Sequence, residues 1–213
     1  MERSIAPAEP PTVGPVRPAF DFTLHIRRLC DDVIARLSEL SHIDMTRVAV
    51  SVCQTRKAVQ HGIFASLTPL RFAHGSHTMT RRGRQMTVEP VRDVSGREML
   101  YILSFYLPRF QNLDLREKLI TVLHELWHIS PEFNGDIRRH AGRYHAHTHS
   151  QAEYDEEMGH LADRWLAENP PVELWSFLRD DFRQLHSRHG AICGHKYRRP
   201  RLIPFLPQEH DGK

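Results

Sequence analysis

The chain has 213 residues, of which 40% are hydrophobic and 26% are charged, and this composition is typical of a folded globular protein. The length favours one domain with tails over two full domains. Three cysteines without a C-x-x-C pair exclude a disulfide framework and a four-cysteine zinc ribbon. A formal net charge of +3 does not mark a dedicated nucleic-acid binder, whereas 16 histidines favour metal chemistry.

The sequence predicts a protein of the reducing cytoplasm without membrane contact. No apolar stretch approaches the roughly 18 residues of a membrane helix, and the first residues lack the apolar core of a secretion signal. Residues 1–19 are rich in proline and poor in bulky apolar side chains, so a disordered tail is expected there. The folded domain is expected over residues 20–190.

The first predicted element is an amphipathic helix over residues 22–40, where apolar side chains recur at steps of three and four. Alternating valines at 48–52 predict a strand, and a second short strand is expected within 63–72. Segment 74–84 has no apolar period and is expected to be an exposed basic loop. The nearly continuous apolar run at 99–107 predicts a buried strand at the centre of the sheet.

The second helix has the clearest start signal. Asp114 and Glu117 have the spacing of a capping box, and apolar residues continue at helical spacing to Ile129, just before Pro131. Residues 131–149 contain glycine, charges and four histidines and are expected to form a loop.

Two further helices are expected to close the domain. Ser150 can cap a third helix that ends before the pair Pro170-Pro171, and a fourth helix is expected from there to about His189. Residues 191–213 are predicted to be a basic, flexible tail. The fold class is therefore α+β, with a small sheet of three or four strands packed against the second helix.

The second helix carries the motif H-E-x-x-H at residues 124–128. His124 and His128 are four residues apart, so both imidazoles project from one side of the helix and can bind one Zn²⁺ ion. Glu125 can act as general base toward a metal-activated water, and the intervening Leu126 can anchor the helix in the core. This arrangement predicts a zinc-dependent hydrolase.

A catalytic zinc site needs a third protein ligand. We favour His149 because it immediately precedes the expected N-cap Ser150, so a packed helix would hold it in place. His140 and His147 are the alternates, and His145 is less favoured. The choice among these histidines stays open at the level of the sequence.

The segment LREKLITVLHELWHISPEFNGDIRRH resembles the phage metallopeptidase family, in which a buried strand pairs with an HELxHI helix followed by Pro, Gly and Arg-His. The resemblance covers about residues 40–168. It implies a zincin-like fold, a protein or peptide substrate, a phage or mobile-element setting, and His140 as third ligand. A more distant similarity to SprT-like and WLM zinc proteases, in which a histidine just ahead of the next helix completes the site, favours His149.

A second functional class remains open, namely a non-catalytic module in which zinc stabilises the fold. Such a module would contact DNA or a partner protein through basic segments at residues 74–84 and 196–201. Weak nucleic-acid contact through these segments is also conceivable for an enzyme. A metal store or sensor built on the histidine-rich loop is a third hypothesis.

Overall fold

Helices pack on small sheets in this protein, and the computed structural model describes residues 18–55, 62–139 and 151–206. The predicted tail at 1–19 lies outside these ranges except for its last two residues. The strands are β1 (Phe20–Asp21), β2 (Val48–Gln54), β3 (Ala65–Pro69), β4 (Thr78–Arg81), β5 (Arg84–Val88), β6 (Tyr101–Leu107), β7 (Ile192–Cys193) and β8 (Leu202–Pro204). The helices are α1 (Phe22–Arg36), α2 (Leu115–Trp127), α3 (Gln151–Ala167), α4 (Val172–Trp175) and α5 (Phe182–His189).

The main sheet has the strand order β2-β6-β3. Its central strand is β6, the apolar run for which the sequence predicted this position, and nearly all of its side chains are buried. The strand β2 pairs with β6 in parallel, whereas β3 pairs with it in antiparallel orientation. The predicted three-stranded sheet next to the motif helix is therefore present.

The helices cover this sheet with their apolar sides. In α1 the side chain of Asp21 caps the first turn, and the apolar stripe that includes Phe22, Ile26 and Leu29 is fully buried. The motif helix α2 packs against β3 and α3. The mixed α+β class that the sequence predicted is confirmed. None of the helices in the described ranges has the length and apolarity needed to span a bilayer.

The basic segment 74–84, expected to be a loop, instead contributes to a β-hairpin of β4 and β5. Arg82 and Gly83 form its two-residue turn and both have positive φ, as hairpin turns of this length require. The C-terminal strand β8 pairs with β5 and completes a second sheet of the order β4-β5-β8. The carbonyl of His195 also accepts a hydrogen bond of 2.8 Å from the N–H of Val52. The described part of the expected flexible tail is therefore paired with the domain.

The predicted fourth helix is divided into three pieces. After α4, a 3-10 turn covers Ser176–Arg179, and α5 begins at a new N-cap, Asp181. Asp181 and Gln184 form a capping box, which provides the hydrogen bonds for a separate helix start. The sequence pattern indicated helix throughout this region but did not locate the break.

Candidate metal centre

The motif lies at the C-terminal end of α2. The helix begins at the predicted capping box, in which the Asp114 carboxylate accepts a hydrogen bond from the N–H of Glu117 at 2.8 Å. It ends at Trp127, and His128 is the C-cap with near-helical angles of φ −66° and ψ −16°. His128 therefore keeps its place one turn after His124, on the same side of the helix.

The two imidazole rings lie next to each other. Their centroids are 4.6 Å apart and the ring planes make an angle of 77°. On the opposite side of the helix, Leu123 and Leu126 are buried in the core. The core contacts of these leucines fix the rotation of α2, and this rotation brings both imidazoles together on the other face.

Glu125 is held by a neighbouring strand as well as by its helix. The backbone N–H of Leu67 in β3 donates a hydrogen bond to its carboxylate. This N–H points away from β6, because the ladder bonds of β3 are made by alternate residues such as Phe64 and Leu70. Burial raises the pKa of Glu125 to about 7, and the hydrogen bond from Leu67 opposes that rise.

A cavity of about 530 Å³ opens beside the motif. His124 and Glu125 line one side of it, and Ala65, the first residue of β3, lines another together with residues 62–64. The candidate general base and one candidate metal ligand therefore face a space large enough for a peptide segment.

Tyr154 of α3 packs directly on the two imidazoles. Its ring centroid is 4.8 Å from that of His124 and 6.1 Å from that of His128. Helical spacing puts Tyr154 on the same face of α3 as the buried Met158, and nothing in the local sequence indicates its contact with the motif. The contact arises because α3 packs against α2.

The chain folds back along the end of α2 immediately after the motif. The N–H of Arg138 donates to the carbonyl of His128 at 2.7 Å, and its Nε donates to the carbonyl of Trp127 at 2.8 Å. The guanidinium of Arg138 also lies 4.2 Å from the ring centroid of Trp127. Residues 129–139 therefore form a turn, closed by a bridge between Ile129 and Ile137, whose last residues lie beside His128.

The carboxylate of Asp136 is bonded within the turn that follows the motif and to the segment at His74. Its two carboxylate oxygens accept hydrogen bonds from the Arg139 guanidinium at 2.8 and 2.9 Å. They also accept the backbone N–H groups of His74 and Ile137. Within the described residues, the role of Asp136 is therefore to fix the turn that follows the motif.

A family model described as "Putative phage metallopeptidase" matches residues 23–154. The chain belongs to this family. The match extends from α1 through the main sheet and the motif helix to Tyr154, so it includes every element that forms the site. A metallopeptidase family implies a metal ion and a protein or peptide substrate. No match was found among curated proteins or among solved structures.

The candidate third ligands of this metallopeptidase, His140, His145, His147 and His149, all lie outside the described residues. Across residues 18–55, 62–139 and 151–206, no group of three or more His, Cys, Asp or Glu side chains is arranged to hold a metal ion. Among the described residues, the candidate metal ligands are thus the imidazoles of His124 and His128. Imidazole is a ligand that suits Zn²⁺. The described part of the chain ends at residue 139, one position after Arg138, whose N–H donates to the carbonyl of His128. It resumes at residue 151, three positions before Tyr154.

Proposed function

We propose that the protein hydrolyses peptide bonds by means of a zinc-activated water, with Glu125 as general base. The observation that carries this proposal is the position of the Glu125 carboxylate, which is half-buried at the cavity next to the paired imidazoles and is oriented by the N–H of Leu67. Burial raises the pKa of this carboxyl group above its ordinary value, which favours its role as a proton acceptor near neutral pH.

His124, His128 and one later histidine would hold the metal. We place His149 first because it lies just before the start of α3, with His140 and His147 as alternates. When bound, Zn²⁺ would lower the pKa of water and polarise the scissile carbonyl. The ring of Tyr154, in contact with both imidazoles, would limit their rotation.

The residues of the chain perform the remaining steps. The Glu125 carboxylate takes a proton from the attacking water and then donates it to the nitrogen of the leaving amine. The partial burial of this carboxylate reduces competition from bulk solvent. Residues 62–64 and Ala65, the first residue of β3, line the cavity and can contact the residues of a bound peptide.

The decisive experiment compares two glutamates of the same helix. Glu125→Gln should lower peptidase turnover by about 10²- to 10⁴-fold and leave the zinc content at one per chain. Glu117→Gln is the matched control, since Glu117 lines the same cavity and glutamine also completes the capping box. Equal activity of the two variants would refute the assignment of Glu125.

The third ligand is tested by zinc content in elemental mass spectrometry. Separate alanine variants of His140, His145, His147 and His149 each remove one candidate imidazole. One variant should lose zinc while the other three retain it, and we expect this variant to be His149→Ala. Zinc retained in all four variants would refute a ligand from this segment.

The alternative class is a zinc-stabilised binding or regulatory module. A structural site is closed by four protein ligands and leaves no open position for water. In that case Glu125→Gln would leave the function unchanged, and chelation of zinc would unfold the domain. The same pair of experiments therefore separates the enzyme from the module.

A cytoplasmic location is part of the proposal. It is supported by the cysteines, since Cys30, Cys53 and Cys193 are all free thiols in the structure.

A further inference from the structure

One sheet brings together two basic segments that are far apart in the sequence: Arg81 and Arg84 lie in its strands, and the basic residues at 196–201 immediately precede its strand β8. The hairpin of β4 and β5 carries Arg81, Arg82 and Arg84, and β8 pairs with β5 in the register Met86↔Pro204 and Val88↔Leu202. Pairing continues beyond the strand ends, because the N–H of Glu89 donates to the carbonyl of Arg201 at 2.8 Å. We call residues 73–88 and 194–206 together the basic sheet.

The basic sheet concentrates positive charge. With Glu89, which pairs with Arg201, it contains seven of the 29 Lys and Arg residues of the chain and one of the 26 Asp and Glu residues, so the rest of the chain has 22 basic and 25 acidic residues. The positive net charge of the protein therefore comes from this one feature. Its basic side chains are those of Arg81, Arg82, Arg84, Lys196, Arg198, Arg199 and Arg201.

These seven side chains are exposed, and none of them has an ion pair with another described residue. Glu89 accepts a hydrogen bond from the backbone N–H of Arg201 at 3.3 Å. Arginines elsewhere in the fold do have such partners, as in the pairs of Arg71 with Glu98 and of Arg164 with Glu39. The charges of the basic sheet are therefore available to an external anion.

The basic side chains surround the sheet. In the observed register Arg84 faces position 206 and Arg201 faces position 89, so five residue steps of strand separate them, or about 17 Å, and their side chains leave opposite faces because this number is odd. Arg81 pairs with Arg84 and therefore shares its face. Six of the seven basic residues are arginine, whose planar guanidinium binds phosphate through two hydrogen bonds. Phe205, which pairs next to Arg84, is 40% exposed, so its ring can contact a base.

We propose that the basic sheet binds the phosphate backbone of a nucleic acid without sequence preference. An anionic membrane is the alternative partner, since Leu206 is 80% exposed beside Phe205, and the vesicle measurement below separates the two. The inference does not depend on the peptidase, since all seven basic residues lie outside the motif helix.

The test measures binding of the full-length protein to a fluorescent 25-base-pair DNA of arbitrary sequence and to its single strand by anisotropy. With about seven phosphate contacts, affinity should fall on the order of 10³-fold between about 50 and 200 mM salt. The triple variants Arg81→Gln/Arg82→Gln/Arg84→Gln and Arg198→Gln/Arg199→Gln/Arg201→Gln should each weaken binding at least about 10-fold and reduce the salt slope by about 3.

The matched control removes three exposed arginines from helices, in the variant Arg28→Gln/Arg116→Gln/Arg183→Gln. It has the same net charge as the two test variants and should bind DNA within about threefold of the wild type. Equal weakening in this control would overturn the proposal, since bulk charge alone would then explain binding. Weakening by only one of the two test variants would also overturn it, because the two segments would not form one surface.

Two further results do not depend on the variants. A wild-type affinity that does not change with salt would overturn the proposal, as would binding to phosphatidylserine vesicles without binding to DNA. Glu125→Gln should bind DNA as the wild type does, so loss of peptidase activity and loss of DNA binding are separately measurable. Unchanged thermal unfolding of each variant shows that the substitutions act on the surface.

Discussion

The carboxylate of Glu125 accepts a hydrogen bond from the backbone N–H of Leu67. These residues belong to α2 and β3, so the candidate general base is oriented by a strand that the H-E-x-x-H motif does not contain. The N–H of Leu67 is available because β3 uses alternate residues for its ladder with β6. Placement of the base therefore depends on the register of the sheet.

Leu67→Pro removes this N–H without removing a bond of the sheet. Proline is tolerated at outward positions of edge strands, and Pro69 already occupies the next such position of β3. We expect turnover to fall about 10- to 100-fold relative to Leu67→Ala, because the carboxylate loses its orientation. Leu67→Ala is the control, since it removes the same side chain and keeps the N–H. Equal rates of hydrolysis in the two variants would show that the bond has no role in catalysis.

The ring of Tyr154 should stabilise the metal-binding geometry through its contacts with His124 and His128. We expect Tyr154→Ala to weaken zinc binding about 10- to 100-fold, as the loss of two aromatic contacts and of outer-shell support predicts. Tyr154→Phe keeps the ring and should bind zinc within about threefold of the wild type. Competition with a chromophoric chelator measures both affinities. A comparable loss in Tyr154→Phe would assign the effect to the hydroxyl.

Local signals explain why α2 and β6 could be predicted from the sequence. The capping box of Asp114 and Glu117 and the apolar spacing that follows it act within one helix, and the apolar run at 101–107 suffices to form a central strand. Because the motif residues lie on that helix, the juxtaposition of His124 and His128 could be predicted too.

The second sheet and the contact of Tyr154 with the motif depend on pairing between distant parts of the chain, so the local sequence did not indicate them. The strands β4 and β8 have little apolar alternation, and β8 forms only against β5, which lies more than one hundred residues earlier. The contact of Tyr154 with the motif likewise depends on the packing of two helices. For the hairpin of β4 and β5, the turn residues Arg82 and Gly83 were the one local signal in the sequence, since glycine favours the positive φ found there.

Arg138 should stabilise the C-terminal end of the motif helix. Its guanidinium stacks on Trp127 at 4.2 Å and its Nε donates to the carbonyl of the same residue. We expect Arg138→Ala to lower the free energy of unfolding by about 1–3 kcal/mol, since both interactions are lost at a helix end that favours positive charge. Arg138→Lys keeps the charge and should show an intermediate loss. Urea unfolding with a chelator present separates this effect from metal binding, and equal stability of all three proteins would contradict it.

A buried amine links α2 to the C-terminal part of the domain. Lys118 is 1% exposed, and its Nζ donates to the carbonyls of Leu178 and Asp180 at 2.8 Å each. Gln111 donates to the Asp180 carbonyl as well, at 2.8 Å. These bonds fix the chain between the 3-10 turn and α5. Burial lowers the pKa of Lys118 to about 8 from its ordinary value of 10.5.

The lowered pKa predicts a pH-dependent contribution of Lys118 to stability. Between about pH 8 and 10.5 the unfolded chain holds this proton and the folded chain has released it, so stability rises with pH, by at most about 1.4 kcal/mol per unit. Lys118→Met should lower the free energy of unfolding by about 1–3 kcal/mol at pH 7, because the Leu178 carbonyl loses its donor. The deficit should grow between pH 8 and 10. Lys196→Met, which alters an exposed lysine, should follow the wild type across this range. A deficit that shrinks with pH would mean that Asp180 holds Lys118 in its charged form.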